Sequence, residues 1–408
     1  MFVDEAGHGW EPEVLASFSA LLDLSPRSPG QLVLAGDPQQ LGPIVRADAV
    51  DDEHGGLSIS LLERLITTHP AYRRDLTADS PFADAAGYDP SVLTMLLKCY
   101  RCHPDILRLP NEMFYNNALQ AAASTLVTNN MLNWSGLPNP RFPLVFHGVE
   151  GENTREGSSP SWFNVEEIEI VWKYVRDLVD RHSVPASDIA VITPYHKQVT
   201  KIQHLFRQST HRGAYKDVAV GSCEQLQGQE RRVIIISTVR SSTEFLEQDR
   251  HFNLGFVASP KRFNVAVTRA KALLIVIGNP HLLNTDRHWR RLLRFCIQNR
   301  GYTGCTPPII DQDPPGGDND DNGDDGGIDG PPSAPPSNPD GPAPPAPPAP
   351  PAPPAAHSAA SASAPDVAAV EHAFAELDLD WDETGEEEEE KEDDQRDQVD
   401  VGWVHLEA

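Results

Sequence analysis

Leu273-Leu274-Ile275-Val276-Ile277 is an unbroken run of five branched apolar side chains that stops at Gly278-Asn279-Pro280. With no polar position on either face, it reads as a strand buried on both sides, which a parallel sheet covered by helices requires. Four further runs share the pattern: Leu32-Val33-Leu34-Ala35, Leu144-Val145-Phe146, Ile189-Ala190-Val191-Ile192 and Val233-Ile234-Ile235-Ile236. Between them, Val165 to Asp180 and Lys197 to Arg207 space apolar residues by about three and four, as helices facing a core do. Strand and helix in alternation predict an α/β doubly wound architecture. In such folds ligands sit at the carboxyl ends of the strands, so the residues that follow each run are the first candidates for chemistry.

Outside these runs the composition changes abruptly at Pro307. The net charge of the 408-residue chain is −27, yet 27 of its 60 acids and only two of its 33 bases, Lys391 and Arg396, lie in residues 307–408. That segment carries −25, and residues 1–306, with 33 acids against 31 bases, carry −2. The folded part is nearly neutral and free to form a basic groove. Nineteen of the 37 prolines also fall after residue 306, in Ala343-Pro344-Pro345-Ala346 and its repeats to Pro354, with acid clusters at Asp318 to Asp325 and Glu386 to Glu390. Such a segment cannot bury enough apolar surface to offset chain entropy and is expected to be a disordered polyproline spacer. Within it, Val367 to Trp381 and Trp403 are candidate docking points for protein partners. Five cysteines, Cys99, Cys102, Cys223, Cys296 and Cys305, in a chain without an export signal fit a reducing compartment, the cytoplasm or nucleus. No apolar run approaches the length of a membrane span.

Two strand ends carry chemistry. Phe2-Val3-Asp4-Glu5-Ala6-Gly7 ends in paired carboxylates, of which one can hold Mg²⁺ and the next polarise an attacking water. Gly36-Asp37-Pro38-Gln39-Gln40-Leu41-Gly42-Pro43 offers a glutamine whose amide can donate to a phosphate oxygen without changing charge.

Together these segments resemble motifs II and III of superfamily 1 helicases of the up-frameshift-like group. Leu97-Lys98-Cys99-Tyr100-Arg101-Cys102-His103-Pro104 resembles motif IV, and Val191-Ile192-Thr193-Pro194-Tyr195-His196-Lys197-Gln198 the Thr-Pro-Tyr segment that follows it. Gly221-Ser222-Cys223-Glu224-Gln225-Leu226-Gln227-Gly228-Gln229-Glu230 resembles motif V, and Asn264-Val265-Ala266-Val267-Thr268-Arg269-Ala270-Lys271 motif VI. Six motifs occur in the family's order. Phe252-Asn253-Leu254-Gly255, Gly278-Asn279-Pro280 and Gly301-Tyr302-Thr303-Gly304-Cys305 are most similar to the Moloney leukaemia virus ten and Armitage type of RNA helicase.

The resemblance implies RecA-like parallel sheets of the P-loop NTPase kind. It divides the chain into residues 1–95, the C-terminal portion of a first helicase domain; 96–306, a second domain complete in itself; and the tail, 307–408. It implies ATP and Mg²⁺ as cofactors and single-stranded RNA as partner, with 5′ to 3′ translocation in RNA silencing or decay, in the cytoplasm or its ribonucleoprotein granules. Asp4 would hold Mg²⁺, Glu5 activate water and Gln40 sense the γ-phosphate. Arg101 and Arg269 would reach that phosphate as always-charged planar forks. Tyr100 would stack on the adenine, and Gln227, Gly228 and Glu230 would line the nucleotide edge. Thr193, Pro194 and Ser222 would touch the RNA backbone, which positions a strand without reading its sequence.

Other readings attach to some of these residues. Cys99-Tyr100-Arg101-Cys102-His103 has the spacing of covalent haem attachment, and Cys-x-x-Cys that of a redox pair; with no export signal and an ordered motif set, the nucleotide role is favoured. Thr193 and Ser222 follow strands, where hydroxyls frequently cap helices. Neither Gly-x-x-x-x-Gly-Lys-Ser/Thr nor any Gly-Lys dipeptide occurs in the chain, so the loop that cradles phosphates is missing before Asp4. The expectation is a truncated first domain, whose incomplete sheet folds only marginally alone. A non-catalytic nucleotide- or RNA-binding module with a partner-recruiting tail, and a DNA helicase, are the rival readings. The −25 tail is expected to compete with RNA, so deleting residues 307–408 tightens RNA binding; equal affinity at low salt excludes this.

Overall fold

The computed structural model describes residues 1–23, 30–45, 56–72, 92–156, 161–208, 213–242, 255–257 and 259–309. The chain divides into two units, Met1–Asp313 and Pro314–Ala408. The second unit, and with it all of the expected disordered tail beyond residue 309, its proline spacer and its docking points, lies outside the described residues.

The strands in chain order are β1 (Phe2–Val3), β2 (Val33–Leu34), β3 (Lys98–Cys99), β4 (Gln120–Ala121), β5 (Leu144–Gly148), β6 (Thr154–Arg155), β7 (Trp162–Phe163), β8 (Ile189–Ile192), β9 (Ala219–Gly221), β10 (Arg231–Ser237), β11 (Ala270–Gly278) and β12 (Tyr302–Gly304). The helices of eight residues or more are α1 (Glu11–Leu21), α2 (Leu61–Thr68), α3 (Pro104–Phe114), α4 (Val165–Arg176), α5 (His196–Gln208), α6 (Pro260–Thr268) and α7 (Arg287–Gln298).

A six-stranded sheet in the order β12-β5-β11-β10-β8-β9, every pair of it parallel, organises the larger part. This is the RecA-like helicase fold. Four of the five apolar runs are its central strands β5, β8, β10 and β11, because helices cover both faces and leave no solvated side that polar residues could occupy. The fifth, Leu32-Val33-Leu34-Ala35, is β2, which pairs only with β1 and leaves Val33 43% exposed, so it is not the doubly buried strand its sequence predicts. In β11 only Lys271 of the nine residues is not buried. Leu144, Phe146, Ile192, Ile234, Ile236, Leu274 and Val276 form one face with Ile106 and Leu109 of α3, Phe263 of α6, and Trp289 and Leu292 of α7. Helix α4 packs behind β10 and β11. It runs from Val165 to Arg176 and then widens into a π turn over Asp177–Arg181, so the helical stretch expected from Val165 to Asp180 changes its winding near the end. Helix α5 matches the expected stretch to within one residue at each end.

Helices α3, α6 and α7 follow no long apolar run, and their termini explain them. Prolines at the first turn pre-set φ for α3 and α6. Asp286 caps α7 by accepting from His288 and Trp289 main-chain N–H groups at 2.8 and 3.0 Å. The smaller part is the parallel pair β1-β2 with α1 and α2, held to the larger by Lys261 Nζ on Glu63 at 2.7 Å and by Leu41, which joins the core. Among the described residues no helix is long and apolar enough to cross a membrane.

Two titratable groups, Glu167 fully buried and His147 partly buried, oppose each other. Burial pushes the Glu167 carboxyl up to about 7, although Ser237 Oγ at 2.6 Å and Val239 N–H at 2.9 Å donate to it. An acid raised on folding keeps its proton where the unfolded chain has lost it, so stability falls as pH rises from about 4.3 towards 7. Burial, and then the Lys173 charge, lower His147 to about 4, so stability falls as pH drops from about 6.5 towards 4. The slopes offset each other between those limits. Glu167→Gln leaves His147 uncompensated, and its urea-unfolding stability should climb with pH from 5 to 6 more steeply than wild type, by ~1 kcal/mol per pH unit. Parallel profiles would reject the assignment.

Candidate functional site

The first wall of the site is made by the turns after β1 and β2. Ala6 N–H donates to Ala35 O and Ala35 N–H to Val3 O, both at 2.8 Å, which locks the two turns side by side. Gly36 permits this approach, since a Cβ there would lie 2.8 Å from Gly7 N. Asp4 and Glu5 stand exposed beyond the strand. Asp4 Oδ1 accepts from Glu5 N–H at 3.0 Å, and Glu5 takes the left-handed conformation, φ 49°, that turns its side chain out of the strand line. Asp37 organises the second turn: Oδ1 accepts from Gln39 N–H at 2.9 Å, and Oδ2 from Gln40 Nε2 at 2.8 Å and Tyr115 OH at 2.7 Å. Burial, then the Asp37 charge, raise the Tyr115 phenol, which stays a neutral donor.

The second wall belongs to the larger sheet. Arg269 follows α6, is 3% exposed, and donates from Nη2 to Gln40 Oε1 at 3.3 Å across the cleft. Gln227 Nε2 donates to Glu5 Oε2 at 3.4 Å in the same way. Arg101 donates from Nη1 to Thr268 O at 3.4 Å and pairs through Nη2 with Glu230 at 3.5 Å; Glu230 also faces Lys271 Nζ at 3.4 Å. Gly228 has φ 72° with open space where a side chain would stand, leaving bare main chain at the edge. Tyr100 is 71% exposed, its ring free to take a flat partner.

Asp4, Glu5, Gln40, Arg101, Arg269, Gln227 and Glu230 thus converge on one cleft. Three carboxylates, Asp4, Glu5 and Glu230, face two guanidiniums, Arg101 and Arg269, there. Burial, then the neighbouring Arg101 charge, lower Arg269, and the Nε atoms of both arginines are buried without a hydrogen-bond partner among the described residues. A nucleoside triphosphate would satisfy both forks, which fits the expected cofactor. Among the described residues no three His, Cys, Asp or Glu side chains cluster as metal ligands. Mg²⁺ needs no such cage, since it keeps waters and binds through one or two carboxylates plus phosphate oxygens, and Asp4 with Glu5 meets that requirement.

The sheet's strand directions revise one expectation. Arg269 precedes β11, and Gln227 to Glu230 precede β10, so these groups stand at the amino ends of the larger sheet. Asp4, Glu5 and Gln40 follow the strands of the smaller part, and Tyr100 and Arg101 follow β3, which lies outside the larger sheet. The carboxyl ends of the larger sheet hold the expected RNA-contacting residues instead. Thr193 follows β8, Ser222 follows β9, and Thr193 N–H donates to Gly221 O at 3.1 Å, which sets them side by side.

Ser222 Oγ accepts from Gln225 N–H at 3.3 Å, a capping contact, and Pro194 is partly buried beside it. Thr193 is fully buried, and its Oγ1 has no partner among the described residues, so the structure turns that hydroxyl away from any strand on the surface. Thr193→Val, which keeps the shape and removes the hydroxyl, should leave RNA affinity within about twofold and raise stability by ~1 kcal/mol. A labelled-RNA titration and a urea melt check this, and a tenfold loss of affinity would show the hydroxyl reaching the strand.

Asp37, Tyr115 and Asn264 are site residues that sequence reasoning did not single out. Asn264 Nδ2 donates to Gln39 O and to Tyr115 OH, both at 2.8 Å, tying α6 to the Gln40 turn. Asp37 and Asn264 lie within quoted motifs, whereas Tyr115, at the end of α3, carries no local signal.

Residues 57–281 match the AAA domain family. The chain is similar to mov-10-B.1 of Danio rerio, 47% identical over 313 residues that make up 74% of this chain and 30% of that protein. It is 48% identical to the RNA helicase Mov10l1 of Homo sapiens, over 76% of this chain and 25% of that protein. It is 33% identical to the ATP-dependent helicase upf1 of Schizosaccharomyces pombe, over 74% of this chain and 29% of that protein. The chain therefore spans only about a quarter to a third of the length of these relatives.

Proposed function

Because the chain belongs to the AAA-domain helicases of superfamily 1, in the up-frameshift-like group with the Armitage type, we propose that it carries the hydrolytic and sensing side of an ATP-driven motor on single-stranded RNA. The observation that carries this reading is the meeting of Arg269 with Gln40, and of Gln227 with Glu5, across a cleft between residues 1–95 and 96–306. ATP with Mg²⁺ supplies a γ-phosphoryl group whose transfer to water provides the free energy.

The chain's own residues divide the remaining work. Asp4 holds the metal, Glu5 orients a water and takes its proton, and Gln40 registers the γ-phosphate. Arg101 and Arg269 balance its charge, and their present partners, Glu230 and Gln40, hold them until it arrives. Tyr100 covers the base, while Gln227, Gly228 and Glu230 line the sugar edge. At the opposite end of the sheet Thr193, Pro194 and Ser222 form the RNA track, with main-chain groups and Ser222 making the contacts. The nine residues from Ser222 to Glu230 run from the track to the cleft, so a shift at one end is felt at the other. Movement 5′ to 3′, a place in RNA silencing or decay, and residence in cytoplasmic ribonucleoprotein granules belong to the same proposal and rest on the resemblance.

The absence of any Gly-Lys dipeptide favours a second reading, a nucleotide- and RNA-binding module without turnover. ATP hydrolysis by the full chain, measured alone, with single-stranded RNA and with DNA of matched sequence, separates the readings. RNA-stimulated turnover supports the motor, and binding without turnover supports the module. Equal stimulation by DNA would defeat the RNA assignment, since only the 2′-hydroxyl and the thymine methyl distinguish the strands.

A further inference from the structure

The turn that follows β10 holds a conformation its own residue resists. Arg240 N–H donates to Thr238 O at 2.8 Å, closing a three-residue turn with Val239 at its centre, φ 70°. This is the rare and strained form of the γ-turn. Val239 is the only β-branched side chain among the described residues with positive φ, and branching at Cβ makes that region costly. A glycine would enter it freely. Such a conformation persists only where its surroundings over-determine it, and it clusters at working sites.

The start of α4 supplies that determination. Glu167 is wholly buried, and Val239 N–H donates to both of its carboxylate oxygens, at 2.9 and 3.0 Å. Asn164, which caps α4 by accepting from Glu167 N–H at 3.0 Å, donates from Nδ2 to Val239 O at 3.1 Å. Both main-chain groups of Val239 are therefore held from one helix end. The same network reaches the proposed RNA track. Ile236 pairs with Ile192, which puts Ser237 beside Thr193. Ser237 Oγ donates to Glu167 Oε2 at 2.6 Å and accepts from Gln198 Nε2, in the first turn of α5, at 2.9 Å. Val239 itself packs with Tyr195, the residue after Thr193-Pro194, and with Trp162.

We propose that Glu167 is a positioning residue for the RNA track: its carboxylate holds the Val239 turn in the left-handed form, and the turn seats Tyr195 and with it the Thr193-Pro194 main chain. Glu167 touches no RNA and acts only through Val239 and Ser237. That the seated main chain carries RNA rests on the proposed function; the hold on Val239 does not.

Variants of the full chain, each checked for folding by a urea melt, test this. Glu167→Met removes both acceptors at similar size. Amide exchange at Val239 and Arg240 should rise ~tenfold more than at Ile235 within β10. Affinity for a labelled single-stranded RNA should fall ~tenfold as the valine relaxes out of its strained conformation. Glu167→Gln keeps an oxygen for Val239 N–H and should bind RNA within about threefold of wild type. Val239→Pro forbids the left-handed conformation with Glu167 in place, and should reproduce the loss seen with Glu167→Met. Adding Val239→Gly to Glu167→Met separates positioning from stability. Glycine takes the turn unaided, so RNA affinity should return to within about threefold of wild type, although losing the buried valine lowers the urea midpoint further. A role in stability alone predicts a further loss of affinity instead. Unchanged exchange at Val239 and Arg240 in Glu167→Met would overturn the hold on the turn. Undiminished RNA affinity in that variant, or no recovery in the double variant, would overturn the positioning. A wild-type chain that binds no RNA would fail the proposed function and the positioning with it, while the exchange measurement still decides the hold on Val239.

Discussion

Arg269→Ala should lower RNA-stimulated ATP turnover by ~10³–10⁵-fold, the range found for arginines that neutralise a transferring phosphoryl group. The side chain is buried, reaches Gln40 across the cleft and has its Nε unpartnered among the described residues, whereas Arg101, the other fork, is held by Thr268 O and Glu230. Arg269→Lys should recover little, because a point charge cannot engage two oxygens in one plane. The loss should be selective for the charge-developing state. Affinity for ADP alone should change by less than about threefold, whereas affinity for ADP with aluminium fluoride should fall by ~10²-fold or more. Equal weakening of both ligands would mean that Arg269 only shapes the cleft.

Glu5→Gln should reduce turnover by ~10²–10⁴-fold, the usual share of a positioned general base. Glutamine keeps the size of the side chain and an oxygen that can still accept from Gln227 Nε2, so the wall of the cleft survives. What is lost is a site for the proton of the attacking water. The variant should therefore bind nucleotide and RNA as wild type does and stall before hydrolysis. Single-turnover hydrolysis beside nucleotide titration measures the two separately. A variant retaining more than a tenth of wild-type turnover would place the base elsewhere, with Asp4 the next group to test.

The larger sheet was legible because its strands are buried on both faces. Leu273–Ile277 and Val233–Ile236 have no polar position that could face water, and the observed β11 and β10 extend those runs by three and two residues at the amino end and by one at the carboxyl end. Edge strands gave no such signal. Ala219–Gly221 and Tyr302–Gly304 are three residues long, only partly buried and paired on one side, so their sequences are not constrained to be apolar. Helices α3 and α7 were hidden for a different reason. Leu-Arg-Leu-Pro and Arg-Arg-Leu-Leu-Arg bury one stripe and leave charge on the other, and only their caps fix where they begin.

By itself the sequence nominated the side chains proposed for the chemistry, since the paired acids Asp4 and Glu5, the Gln40 amide and the arginines Arg101 and Arg269 occur in recognisable local strings. It also determined the fold class, through runs that only a doubly covered parallel sheet can bury. Tertiary structure alone decided how those strings face one another. It set Arg269 and Gln227 at the amino ends of their strands, against an expectation drawn from carboxyl ends, because two sheets share the cleft and the second meets it from the other side. It turned the Thr193 hydroxyl inward and brought in Tyr115 and Asn264, which no spacing links to Gln40. Strand register, the facing of one sheet to another and the burial of a single oxygen depend on residues far apart in the chain, and a string read in order cannot contain them.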